Sequence, residues 1–219
     1  TEAGVPIELI AGASAGSIIG ALYADQGNYQ KIHKAVMAAD IWSYLDIGAP
    51  NRLGFVSGFQ LENFIYDHIK ARKFRQLKIP LIIATTDLMS GKSYPIKSGP
   101  IAPAVRASAS IPGLMVPPKM YGHTLIDGGV TTPVPVALLK PYRPRIIIAV
   151  DISSQLSPEP PIGAIDVYNR AYSIMWNNLN VSSAQDADIF IHPHLTDTGT
   201  FSVSKKQAIF NAGRQAALK

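Results

Sequence analysis

The sequence predicts one α/β domain of three layers, a sheet covered by helices on both faces. Short apolar runs of strand length, such as Leu81-Ile82-Ile83-Ala84 and the almost wholly aliphatic Arg145 to Val150, alternate with longer stretches of helical periodicity. Charged residues make up 16% of the chain against 47% hydrophobic, as expected where central strands are covered on both sides. At 219 residues the chain has the length of a single domain, residues 1–219, and can bury a sizeable core.

The elements follow in order. Ile7 to Ala11 reads as a short strand after a Gly-Pro turn, and helical spacing starts at once, with Ile18, Ile19, Leu22 and Tyr23 on one face until Gly27-Asn28. A second helix is expected over Tyr29–Ala39 and aromatic-rich turns around Trp42-Ser43-Tyr44. A third helix is expected after Ser57 as N-cap, with Leu61, Phe64, Ile65 and Ile69 inward. Leu81–Ala84 is a buried strand, Ser90-Gly91-Lys92 a turn, Tyr94–Ile96 a returning edge strand, and Ile101–Ala109 a short helix. Tyr121-Gly122-His123 reads as a hairpin turn before the strand Thr124–Ile126. Strands at Arg145–Val150 and Ile189–Ile191 flank an amphipathic helix over Ala164–Leu179, and Ser204 to Gln207 has the form of a capping box opening a last helix.

Several function classes drop out early. Cysteine is absent, which excludes disulfides, thiolate catalysis and Cys-ligated zinc. The longest uncharged apolar run, Leu9 to Ala24, falls short of the roughly 20 residues of a membrane-spanning helix and is broken by glycines. Thr1 to Pro6 reads as the frayed end of a helix whose earlier turns are missing, so the chain is expected to be a fragment.

Gly12-Ala13-Ser14-Ala15-Gly16 lies where the first strand ends and the first helix begins. A catalytic serine needs its Oγ thrust out of a sharp strand-to-helix turn, and glycines two residues to either side let the backbone cross itself. The N–H groups of the following helix favour negative charge developing at that point. The competing reading is a Gly/Ala-rich turn packed against a sheet. A serine hydroxyl also needs a base. The chain offers five histidines and several carboxylates at strand ends, among which Asp127-Gly128-Gly129 closes the strand Thr124–Ile126. That tripeptide reads equally well as a plain Asp-Gly turn.

Together these two glycine-flanked segments resemble the patatin-like phospholipases, especially the bacterial branch related to neuropathy target esterase. Gly12 to Gly16 matches the family's nucleophile elbow and Ile18 to Ala24 its helix; Asp127-Gly128-Gly129 matches its second motif. Ala84 to Leu88 with Gly91, and Arg106 to Gly113, lie between them in the expected order. The likeness runs from about residue 1 to Ser153. It implies a three-layer α/β/α fold with a mainly parallel central sheet. The implied chemistry is a Ser14–Asp127 dyad without histidine, forming an acyl-enzyme and needing no metal or cofactor, on phospholipid or lysophospholipid substrates. It further implies that a strand and a glycine-rich oxyanion loop belong upstream of the first residue, with Ala15 N–H as one donor inside this chain.

Other features carry weaker expectations. A Ser14–Asp127–His192 or His194 triad would make an esterase or acyltransferase of another class, and a fold retained without turnover would make a membrane-associated interaction module. His192-Pro193-His194 lacks a third metal ligand. Asp87 and Asp151 are expected to cap loops. Lys70, Arg72, Lys73, Arg75 and Lys78 form a basic run expected as a solvated helix end and loop, with anionic lipid headgroups as its alternative partner. Nucleic acid is not expected, because no stacking aromatics or recognition motif accompany the run. Phe55, Phe59, Leu114, Met115, Val116 and Pro117-Pro118 are expected as packing or as the mouth of an acyl pocket. The expected location is the cytoplasm or a membrane surface, with secretion as the alternative.

Overall fold

In the computed structural model, residues 4–39, 47–51, 53–153, 156, 159–195 and 205–219 are described. They form a three-layer α/β/α arrangement. Strand β1 (Ile10–Ala13) leads directly into helix α1 (Ala15–Gln26), which ends at Gly27 in the left-handed conformation. Helix α2 (Tyr29–Ala38) follows, its Asn28 side chain accepting from the Lys31 amide at 3.1 Å. A hairpin of β2 (Ile47–Asn51) and β3 (Gly54–Val56) precedes helix α3 (Phe59–His68). Then come β4 (Leu81–Asp87), α4 (Ile101–Ser108), β5 (Lys119–Met120) and β6 (His123–Asp127). The chain closes with β7 (Ile148–Val150), α5 (Ala164–Ala184), β8 (Ile189–Ile191) and α6 (Lys206–Ala217).

The four-stranded sheet has the order β1-β4-β6-β5, with β1 and β4 parallel and β6 and β5 added antiparallel at the far edge; β7 and β8 pair in parallel separately. All seven residues of β4 are buried, so this strand is covered on both faces. Leu22, Ile65, Ile83, Ile101, Val105 and Leu125 fill the main core between the sheet and a layer made by α1, α3 and α4. Arg106 of α4 locks that layer: its guanidinium pairs with Glu62 of α3 at 3.0 Å and lies over the Phe59 ring at 4.2 Å.

Several boundaries differ from the sequence expectation. Gly58, at φ 79°, is the N-cap of α3, while Ser57 Oγ accepts from the Phe59 amide at 3.2 Å. The positive φ that only glycine takes readily decides the position. Tyr94–Ile96 is not a ladder strand; it touches β4 through an isolated bridge at Ile83–Ile96, with another at Thr86–Ser93 just before it. The Tyr94 amide still donates to the Thr85 carbonyl at 2.7 Å, while the Tyr94 carbonyl is taken by Thr85 Oγ1. The aliphatic run from Arg145 pairs only from Ile148, and α5 continues past Leu179 to Ala184. The Tyr121-Gly122 turn has both residues at positive φ, 53° and 82°, as the tightest hairpins require. The turns at Trp42–Tyr44 and the cap at Ser204 lie outside the described residues.

Candidate active site

Strand register alone brings the two glycine-flanked segments together. Ala13 of β1 pairs with Ala84 of β4, and Asp127 of β6 pairs with the next residue, Thr85. The residue after β1 and the last residue of β6 therefore flank one point on β4, although 127 − 14 = 113 positions separate them in the chain.

Ser14 takes φ 50° and ψ −121°, a conformation that costs a non-glycine residue about 1–3 kcal/mol and persists only where the surroundings enforce it. The enforcing contacts are visible. The Ser14 amide donates to Ser108 Oγ at 2.9 Å, and Ser108 Oγ donates onward to the Ala84 carbonyl at 2.7 Å. The Ser14 carbonyl accepts from the Ser17 amide at 2.9 Å and from Ser17 Oγ at 2.7 Å. A Cβ on Gly12 would fall 2.6 Å from the Gly16 carbonyl carbon and 2.8 Å from the Ser17 amide, so the turn closes only over a glycine. Gly16 is different. A Cβ there would meet nothing within 4 Å, so the flanking glycines are not equivalent as the sequence reading had them.

At the start of α1 the Ala15 and Gly16 amides have no acceptor among the described residues, and no acidic side chain occupies the first helical turn. Unsatisfied N–H groups and the positive end of the helix dipole both favour an anion beside Ser14.

Asp127 is 3% exposed. Its Oδ1 accepts from the Gly129 amide at 2.7 Å, and the Ser14 side chain lies near enough to act on the carboxyl. Burial pushes its carboxyl up to about 6, although Ser14 and the Gly129 amide pull the other way. Its backbone is fixed as well: the amide donates to the Ser110 carbonyl at 2.9 Å, and its carbonyl accepts from Thr86 Oγ1 at 2.9 Å. A Cβ on Gly128 would run into the Ala84 carbonyl, and one on Gly129 into the Trp176 ring, so both positions serve close approach.

Trp176 belongs to α5, as does Tyr172, whose phenol is raised first by burial, then by the charge of Asp127 and then by Tyr168. The two rings lie 5.8 Å apart between centroids. Sequence reading took this helix as merely amphipathic; the spacing of Tyr168, Tyr172 and Trp176 at successive fourth positions is the signal that one face of it is aromatic.

A family profile described as patatin-like phospholipase matches residues 1–140. The chain belongs to the patatin-like phospholipase family. Among its relatives is an uncharacterized NTE family protein of Mycobacterium tuberculosis, 31% identical over 154 residues, or 69% of this chain and 42% of that protein. Another is patatin-like phospholipase domain-containing protein 7 of Rattus norvegicus, 31% identical over 163 residues, 70% of this chain and 12% of the relative. Domain-containing protein 6 of Homo sapiens is 29% identical over 188 residues, covering 82% and 13%. The chain thus spans less than half the length of these relatives.

In this patatin-like chain His192 pairs with Asp151. Its Nδ1 lies 3.1 Å from the Asp151 carbonyl oxygen and 3.4 Å from Asp151 Oδ2, and its ring stacks on Phe190. Asp151 also accepts from the Ser153 amide and hydroxyl, each at 2.9 Å, and Asp87 accepts from Ser90 Oγ at 2.6 Å. Both carboxylates thus tie down the loops after their strands. Of the apolar loop residues, Met115 is buried against Gly54 and Gly58, whereas Phe55 and Phe59 are exposed.

Ser108 is the residue whose part in the patatin-like elbow the sequence did not announce. Ser108→Ala removes the acceptor of the part-buried Ser14 amide and a donor to the buried Ala84 carbonyl. The expected loss of stability is about 1–3 kcal/mol, read by chemical denaturation, with a fall in kcat as Ser14 loses its anchor.

Proposed function

We propose that this chain carries the catalytic dyad of a serine acyl hydrolase that cleaves phospholipids or lysophospholipids. The observation that supports this reading above others is the Ser14–Asp127 pair: a serine held in a strained elbow beside a buried carboxyl whose pKa is raised into the range of a useful base. In the first step Ser14 Oγ attacks the ester carbonyl and gives its proton to Asp127. The tetrahedral intermediate collapses, Asp127 protonates the departing lyso-lipid or alcohol oxygen, and the acyl group stays on Ser14. Asp127 then takes a proton from water, the hydroxide attacks the acyl-enzyme, and the fatty acid leaves as Ser14 is reprotonated. The developing oxyanion lies beside the Ala15 amide at the start of α1. β1 has a ladder partner on one side only among the described residues, so its open edge can take a further segment that brings oxyanion donors.

A membrane surface fits the same reading. Ile165, Tyr168, Tyr172 and Met175 lie on one flank of α5, all exposed, and the flank ends at Trp176 over Gly129. Aromatic and aliphatic side chains so placed suit the interface of a lipid aggregate, with the acyl chain led along them to Ser14. Among the described residues no helix is long and apolar enough to cross a membrane.

The test is active-site labelling of the full-length protein. A fluorophosphonate probe is expected to label Ser14, with labelling and phospholipid hydrolysis both lost in Ser14→Ala and retained in His192→Ala and His194→Ala. Equal labelling of Ser14→Ala would sink the proposal, and loss of turnover in either histidine variant would favour a triad instead.

A further inference from the structure

At the end of the sheet away from Ser14 lies a cavity of about 470 Å³, within the size range of small-molecule sites. It opens at the N-terminal ends of the parallel strands, where Leu9 and Leu81 contribute to its wall. Ser14 follows the opposite end of β1, so the strand's four residues, at about 3.3 Å each, stand between the two places.

The chemistry of the lining is one-sided. Lys73, Arg75 and Lys97 border the cavity, and no aspartate or glutamate does. None of the three cations has a carboxylate partner among the described residues. Lys97 has only a tyrosine: its Nζ lies 3.4 Å from Tyr142 Oη and 5.8 Å from the ring centroid. Cations gathered round one concavity repel each other, and an anion with two charges relieves that repulsion while offering oxygens to the Arg75 fork. Between the cations the wall is apolar, made by Phe74, Leu77, Pro80 and Leu81 together with Leu9.

We infer that this cavity is a second binding site, separate from the hydrolase site, for a phosphate monoester carried on an apolar stem. The phosphate sits among Lys73, Arg75 and Lys97, and the stem lies on Phe74 and Leu81. Such a group can be the head of a lipid or a small alkyl phosphate; the recognition chemistry is the same. The inference does not depend on what Ser14 hydrolyses.

Isothermal titration of the full-length Ser14→Ala protein, which turns nothing over, tests it with three soluble probes at low salt: hexyl phosphate, inorganic phosphate and hexanol. Hexyl phosphate is expected to bind about tenfold more tightly than inorganic phosphate, and hexanol to give no heat. Arg75→Ala and Lys97→Ala are each expected to weaken hexyl phosphate at least about fivefold, and Arg75→Glu/Lys97→Glu to abolish it. All three cations are exposed, so these variants should keep the wild-type melting profile, which is checked alongside. The site should also remain open in wild-type protein blocked by fluorophosphonate. To separate the two sources, vesicles of phosphatidylcholine with and without phosphatidic acid are added as competitors. Displacement of hexyl phosphate by the phosphatidic acid vesicles alone assigns the site to a lipid head, and no displacement by either assigns it to a soluble phosphate monoester. Undiminished binding in the double glutamate variant would overturn the inference. So would equal affinity for inorganic phosphate and hexyl phosphate, or loss of binding after the fluorophosphonate block.

Discussion

Replacing Asp127 by asparagine is expected to do two opposite things: lower kcat/KM by about 10³- to 10⁴-fold and raise the stability of the fold at neutral pH. Both effects have one origin. The carboxyl is buried, and burial holds its pKa at about 6 against an ordinary 3.8. As a base it is useful only when ionised, so kcat/KM of the wild type should climb with pH through about 6 and level off above. In stability the sign is reversed. Between pH 4 and 6 the folded protein keeps a proton on Asp127 that the unfolded chain has already released, so stability falls as pH rises across that window. About two pKa units correspond to roughly 3 kcal/mol, lost by pH 6 and constant beyond it. Asparagine has no charge to bury and can still accept from the Gly129 amide. Asp127→Asn should therefore exceed the wild type by about 2–3 kcal/mol at pH 7–8 and match it below pH 4, read by denaturant titration at several pH values. A variant no more stable than wild type at pH 8 would mean that the carboxylate is not desolvated at a cost, and the raised pKa that makes Asp127 a base would go with it.

That trade between stability and chemistry also bears on which parts of the site the sequence could reveal. Gly12 to Gly16 and Asp127 to Gly129 stand out in the chain because each satisfies a local backbone demand: a turn that crosses itself, and a strand end pressed on the Ala84 carbonyl. Demands of that kind are written in consecutive residues. Ser108 is not of that kind. Nothing in Arg106 to Gly113 says that one hydroxyl will bridge the Ser14 amide and the Ala84 carbonyl, because the bridge exists only once α4 has packed on the sheet. Tyr172 and Trp176 meet the site for a similar reason: α5 follows it by some 40 residues of chain and reaches it through tertiary packing. In the fold, strand and helix types followed from periodicity, and the differences fell at element ends, as at Gly58, where one backbone angle sets the cap, and at Ile148 and Ala184. The basic run divided likewise. Lys73 and Arg75 look like a solvated loop in the sequence, and Lys97, distant in the chain, joins them at the cavity only through the fold.

The second large effect concerns the elbow itself and sets its two glycines against each other. Gly12→Ala puts a methyl against the Gly16 carbonyl and the Ser17 amide, backbone atoms that cannot swing aside as a side chain can. Overpacking of that severity is expected to cost about 3 kcal/mol or more. What relief exists comes from opening the turn, which moves Ser14 off its strained φ and away from Asp127. A displacement of about 1 Å at a reacting group is enough for about 10²-fold in rate. Gly12→Ala should therefore lose stability and turnover together. Gly16→Ala separates them. Its methyl would project into open space from the second residue of α1, where alanine suits a helix better than glycine by up to about 1 kcal/mol, so the melting temperature should hold or rise slightly. Gly16 is two residues from Ser14 in the same turn, so under the proposed function a methyl there is expected to crowd an ester at Ser14. Gly16→Ala is thus expected to keep its fold and its Ser14–Asp127 pair while KM for a bulky phospholipid rises more than KM for a small aryl ester. If instead Gly16→Ala melted early and Gly12→Ala did not, the backbone would cross at the other glycine and the geometry assigned to the elbow would be wrong.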